Sequence, residues 1–282
     1  MALTRANILC DGTFKIDGGA LFGQLAKTVW ETMASTDRKN RVTLGLNCWL
    51  LQVADEWILV DTGAGTNHAE HDRDHYGLGP SRLFKELKIA GLTPKDISKV
   101  VLTHMNFEHS GGCTRMDRTG AIVPTFSRAK YYVQRASWEE AQEPSERGRY
   151  AYRASNFMPV ADRGQLELLD GDTEILPGLQ VIQCDGPARG HQLILFNHGG
   201  ERLVILGDLV PTPFHLNLPV ISAFDYSPQD TLEQKREILS DAERQGWLLG
   251  FSHGHDVKNG YLERRGEMVY VTPVDMTFGN LS

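Results

Sequence analysis

Short apolar runs closed by turn-forming clusters dominate the chain, and they predict a β-rich molecule with a few interposed helices. Near the N-terminus, Ile8-Leu9-Cys10 and Thr13-Phe14-Lys15-Ile16 are separated by Asp11-Gly12 and followed by Asp17-Gly18-Gly19, two hairpin-type signals. Residues 42–53 alternate apolar and polar positions, as a half-buried strand would, and Asp55-Glu56 then turns into Trp57-Ile58-Leu59-Val60. Further strands are expected at 99–102, 129–133, 166–169, 179–182 and 192–196. The last pairs with 202–206 across Asn197-His198-Gly199-Gly200, and strands at 247–251 and 261–274 close the chain.

Helical spacing covers 82–87 and ends near Gly91. Ser137 followed by Glu140 has the form of a capping box and predicts a helix starting there. Residues 231–245 form an amphipathic helix with Leu232, Lys235, Ile238, Leu239 and Ala242 on one side. Residues 66–80, with His68, His71 and His75, read as an exposed loop. Residues 143–165 read as an irregular surface insertion, and the proline-rich 209–228 as a long ordered loop. The pattern shows no repeat and no linker, so a single domain over 1–282 is expected.

Composition adds exclusions. Apolar residues make up 41% and charged residues 23% of 282, an ordinary globular profile. The net charge of -7 argues against a nucleic-acid groove and an anionic membrane surface. No apolar run approaches the roughly 18 residues that span a bilayer. Residues 1–7 lack the apolar core of a signal peptide, and Cys10, Cys48, Cys113 and Cys184 are scattered without a Cys-x-x-Cys pair. A cytoplasmic protein with reduced thiols is the expectation.

Candidate chemistry concentrates where strands stop. Val100-Val101-Leu102 delivers Thr103-His104-Met105-Asn106-Phe107-Glu108-His109, then Ser110-Gly111-Gly112. Two imidazoles and a carboxylate at a strand end point to metal or general-base chemistry. Asp61 before Thr62-Gly63, Asp208 after Gly207, and His253 in Ser252-His253-Gly254-His255 also lie at the ends of apolar runs.

Together these motifs resemble the metallo-β-lactamase superfamily, along nearly the whole chain. Its central motif has the form His-x-His-x-Asp-His, matched here by His104, Asn106, Glu108 and His109. Its Gly-His-x-x-Gly-His turn aligns with Gly186-Pro187-Ala188-Arg189-Gly190-His191, so Pro187 stands where a ligand histidine is expected and His191 matches the second, non-ligand histidine. The segment from Asp208 through His215 to Tyr226, followed by the Lys235 helix, looks like the lactonase-type hydrolases.

The resemblance implies an α/β four-layer αββα sandwich with its site at one sheet edge. It implies metal ligands at His104, Glu108, His109, Asp208 and His253. Two of the three first-pocket histidines are replaced, so one divalent ion (zinc, manganese or iron) is expected per chain. Asp208 is the expected proton acceptor, and His104 a base or oxyanion donor; Asn106, His215 and Tyr226 are the candidate substrate contacts. The implied activity is hydrolysis of a small-molecule ester, lactone, thioester or activated aryl ether by an oligomeric enzyme. The alternative is a catalytically silent or supporting subunit of a hetero-oligomer with a related chain. An iron-bound redox role is the weakest reading, since no redox-partner segment follows.

Overall fold

The computed structural model describes residues 4–198, 200–266 and 268–276. Gly199, part of the turn expected between two strands, lies outside the described residues.

Two mixed sheets pack face to face. The six-stranded sheet runs in chain order through Thr4–Asp17, Arg41–Val53, Glu56–Val60, Ile97–Val101, Lys130–Gln134 and Leu166–Leu169. The seven-stranded sheet runs through Thr173–Leu176, Leu179–Gln183, Gln192–His198, Glu201–Ile205, Leu248–Gly250, Asn259–Arg265 and Met268–Pro273. Between the sheets lies a core of Trp49, Leu51, Ile58 and Val101 from one and Val181, Ile194, Phe196 and Ile205 from the other. Helices Leu83–Ile89, Arg135–Gln142 and Ala154–Asp162 cover the outer face of the first sheet through Leu87, Ala141, Phe157 and Val160. Helix Pro228–Gln245 covers the second through Leu239 and Ala242. The result is a four-layer αββα sandwich, each layer burying the apolar face of the next. No helix of the described residues is long and apolar enough to cross a membrane.

Several local expectations need correction. Asp11-Gly12 is not a hairpin turn: one strand runs from Thr4 to Asp17, with its register shifted between Cys10 and Thr13. The irregularity turns the Asp11 carboxylate toward the start of the Leu83 helix, where it accepts from the Arg82 and Leu83 amides. Asp17 caps the short helix Gly18–Phe22 rather than making a turn. Residues 44–51 are buried continuously, because this strand is covered on both faces and the alternation counts for less.

Ser137 is not an N-cap. Its helix begins at Arg135, after Gln134, and the Ser137 side chain is buried inside the first turns. Helix Glu70–Tyr76 replaces part of the expected loop, held where Asp72 meets Arg153 at 3.4 Å. Helix Ala154–Asp162 replaces part of the expected insertion despite Pro159. The missing Pro159 amide frees the Ser155 carbonyl, which accepts instead from Thr114 Oγ1 at 2.8 Å. The long helix starts at Pro228, capped by Ser227, and buries Thr231 and Lys235 with Leu239 and Ala242; Leu232 is only partly buried.

Candidate metal centre

Every chemically distinctive group here follows the C-terminal end of a strand. Glu56–Val60 and Ile97–Val101 are parallel neighbours, so Asp61 and the Thr103–His109 segment emerge side by side. Glu201–Ile205 and Leu248–Gly250 are parallel neighbours in the other sheet and bring Asp208 and His253 to the same rim. The segment 62–65 and the turn 111–112 then pack backbone to backbone. A Cβ at Gly111 would lie 1.9 Å from the Ala64 carbonyl oxygen, so only glycine fits.

Asp61 is the hinge of the arrangement. It is buried and has φ of 55°, a left-handed conformation that costs a residue with a side chain about 1 kcal/mol or more. Its Oδ1 accepts the Thr103 amide at 2.8 Å, and its Oδ2 lies 2.8 Å from His109 Nδ1. His109 thus donates through Nδ1 and turns Nε2 inward. His253 is set the same way, with Nδ1 2.9 Å from the Gly45 carbonyl oxygen. The two Nε2 atoms end 3.0 Å apart, at 3.3 Å (His109) and 3.2 Å (His253) from Asp208 Oδ1. Ligands on one tetrahedral ion with bonds of about 2.05 Å are spaced at about 3.3 Å, so these three acceptors already stand at that spacing.

One ligand atom from each of His104, Glu108, His109 and Asp208 falls within 4.8 Å of the others, a grouping able to hold a metal ion. Two buried atoms there, His104 Nε2 and Glu108 Oε2, have no hydrogen-bond partner among the described residues, and Asp208 Oδ1 faces the His109 and His253 nitrogens. Unsatisfied acceptors converging on one space are costly unless a cation neutralises them, so the donor set fits a divalent metal.

Electrostatics agree. Burial raises the Glu108 carboxyl against the pull of His109. Burial alone would lower His109, but the Asp61 and Asp208 carboxylates overcome it and hold the ring's pKa well above its usual value. Burial works against ionised Asp208 too, yet the His109 and His253 charges keep it well below the usual carboxylate range. Burial, then the neighbouring His109 charge, keeps His104 neutral. The carboxylates therefore call for positive charge at this point, as a proton or as a metal ion.

His104 stands apart from the pair. Its Nε2 is 3.5 Å from Asp208 Oδ2, the other oxygen of that carboxylate. Asn106 turns its amide to Glu108 Oε1 at 3.4 Å. His215 is wholly buried, with Nδ1 2.8 Å from Thr212 Oγ1 and Nε2 3.0 Å from the Leu21 carbonyl, which leaves neither nitrogen free for a substrate. Its ring stacks on Phe22, so it serves packing. Tyr226 is 56% exposed, and its amide donates to the Pro187 carbonyl at 3.0 Å. His255 is exposed and turned to Asp256.

Sequence reasoning passed over groups that the fold brings here. His191 accepts the Asp208 amide on Nε2 at 2.9 Å and meets Cys184 Sγ at 2.9 Å through Nδ1. A Cβ at Gly207, φ 53°, would sit 2.3 Å from that Nε2. His191 thereby fixes the backbone carrying Asp208; the only hint in the sequence was its match to a non-ligand position. Tyr76 and Tyr152, both partly buried, feel the Glu108 charge after burial as a cause of their raised pKa values. They come from segments with no distinguishing motif.

Comparison with known families decides the assignment. The metallo-beta-lactamase superfamily description matches residues 42–253, from the second strand through the last histidine of the cluster. The chain belongs to this superfamily. Among its named relatives is an N-acyl homoserine lactonase of Bacillus cereus, 28% identical over 178 residues, which is 59% of this chain and 64% of that protein. The human acyl-coenzyme A thioesterase MBLAC2 is 26% identical over 167 residues, 58% of each chain. The chain thus spans less than two thirds of the length of either. A "probable metal-dependent hydrolase" from Staphylococcus aureus superposes with a TM-score of 0.88, at 27% identity over 96% of this chain and 98% of that one. The dizinc quorum-quenching lactonase AidC has the same fold, with a TM-score of 0.78 at 17% identity over 98% of this chain and 96% of that one.

Proposed function

We propose that this superfamily member is a metal-dependent hydrolase of small acyl compounds, lactones or thioesters, working with one divalent ion per chain. The observation that carries the reading is the convergence of His109 Nε2, His253 Nε2 and Asp208 Oδ1 at 3.0–3.3 Å, with an unpartnered Glu108 oxygen beside them. Glu108, His109, Asp208 and His253 would hold the ion. A bound divalent cation supplies Lewis acidity and lowers the pKa of a coordinated water. Relatives named as a lactonase and an acyl thioesterase support this substrate class.

The chain's own groups divide the remaining work. Asp208 Oδ2 is not spent on the histidine pair and faces His104, so it is the group placed to take a proton from the attacking water. Neutral His104 is placed to relay that proton or to donate to the carbonyl oxygen that gains charge. Asn106 and the exposed Tyr226 phenol are the substrate contacts of this reading. His215 plays no part in it, being closed off in the core. We place the protein, a single domain over 1–282 and an oligomer, in the cytoplasm; all its cysteines are free thiols.

The vacated half of the pair of pockets supports a second reading. Pro187 has no ligand atom and Asn106 is turned to Glu108, a state that a supporting subunit beside an active relative would also tolerate. Assay of the purified chain on aryl ester, γ-lactone and acyl thioester, before and after dipicolinate and with zinc or manganese restored, separates the readings. Turnover lost with the metal and regained with it, and abolished in Asp208→Asn, supports the hydrolase. A metal-loaded chain inert alone and active only with a related subunit supports the other.

A further inference from the structure

Away from the metal centre, a cleft of about 590 Å³ opens beside the short two-stranded sheet Thr114–Met116 and Ile122–Pro124. This is within the roughly 300–1,000 Å³ range of small-molecule sites. It shares no residue with the cluster around Asp208. We infer that it is a second binding site, for a small amphipathic anion: one phosphate or carboxylate carried on a flat apolar group.

The lining has the chemistry for such a ligand. Lys95 and Arg115 both face it, and no carboxylate does. Neither cation has a hydrogen bond or ion pair among the described residues. The acids nearest in sequence are engaged in their own turns. Asp96 accepts from the Thr93 amide and hydroxyl at 2.7 Å each. Asp117 accepts from the Thr119 amide and hydroxyl at 2.8 and 2.7 Å, and the Arg115 charge adds a weaker pull on its carboxylate without a direct ion pair. In a chain of net charge -7, a concave surface lined by two cations with no direct ion pair among the described residues, and by no acid, favours an anion.

Phe84 and Met116, also lining the cleft, are 43% and 59% exposed, large apolar side chains left in water. A flat apolar group seated on them would remove that surface from solvent.

The test is calorimetric titration of the full chain with 1-naphthyl phosphate and 1-naphthoate, and with neutral 1-naphthol and inorganic phosphate. Proteins compared are wild type, Arg115→Ala, Lys95→Ala, Phe84→Ala and Asp208→Asn. Saturable binding of either aryl anion is expected, weakened about tenfold by loss of either cation and less than about twofold by Asp208→Asn. Preference for phosphate over carboxylate, or the reverse, names the anion. Binding lost in Asp208→Asn places the ligand at the metal centre and overturns the inference. So do binding unaffected by both Arg115→Ala and Lys95→Ala, naphthol or free phosphate binding as tightly, and no saturable binding at all. Because 1-naphthoate has no bond for a hydrolase to cleave, its binding heat is read whether or not the chain hydrolyses anything.

Discussion

Asp61 Oδ2 lies 2.8 Å from His109 Nδ1, and the same carboxylate accepts the Thr103 amide through Oδ1. One buried acid in a left-handed backbone conformation therefore orients a candidate ligand and ties down the start of its turn. Asp61→Asn keeps the shape but removes the charge that sharpens His109 as a donor to metal. Metal affinity should fall about 10- to 100-fold, read by competition with a chromophoric chelator, and the thermal melt of the apoprotein should fall too, since the buried His109 ring loses its charge partner. Unchanged affinity would separate Asp61 from the metal centre.

His215 makes the fold acid-sensitive. An unfolded imidazole titrates at 6.5, but burial, against the help of the Leu21 carbonyl and with Lys235 repelling, pushes this one down to about 4. Between those values the unfolded chain binds a proton that the folded chain refuses. This contribution is complete above pH 6.5 and is lost as pH falls toward 4. It amounts to about 3 kcal/mol over the interval. Urea midpoints measured from pH 7 to 4 should fall more steeply for wild type than for His215→Gln; parallel curves would refute the account.

Lys235 is buried in the long helix, with Nζ donating to the carbonyls of Asn217 and Val220 at 2.8 Å and of Leu218 at 3.4 Å. Burial lowers its pKa to about 7, with Asp225 opposing. Lys235→Met strands these carbonyls and should cost about 2–4 kcal/mol. Hydrogen exchange should speed up at 217–220 before the sheets are affected. Equal protection there would show that the loop holds without the amine.

Much of the architecture was readable because strand cores and strand-end chemistry are both local in sequence. The turn at 103–112, Gly207-Asp208 and Ser252-His253 each sit next to the apolar run that carries them. What escaped depends on distant partners. Asp11-Gly12 looks like a turn until the Leu83 helix claims its carboxylate. Pro159 breaks a helix on paper, but Thr114, far off in sequence, satisfies the carbonyl it frees. His215 resembles a site residue by position, and only the ring of Phe22 and the Leu21 carbonyl show that it faces the core. His191 carried the opposite signal, a non-ligand position, yet it holds the Asp208 backbone.

Asn106 and Pro187 are the substitutions that set this chain apart from the superfamily pattern. If they alone removed a second ion, the double variant Asn106→His with Pro187→His should bind one more equivalent of zinc than wild type. The added ion should bind more weakly than the first, since it would share the Asp208 carboxylate with that ion. An unchanged stoichiometry would mean that the backbone at 186–191 has also moved away from the binding geometry.

The most direct test is a metal count on the native protein, by elemental analysis together with anomalous scattering to place each ion. The account predicts one transition metal per chain, between Glu108, His109, Asp208 and His253. Two ions firmly held, one of them against Asn106, or none at all, would contradict it.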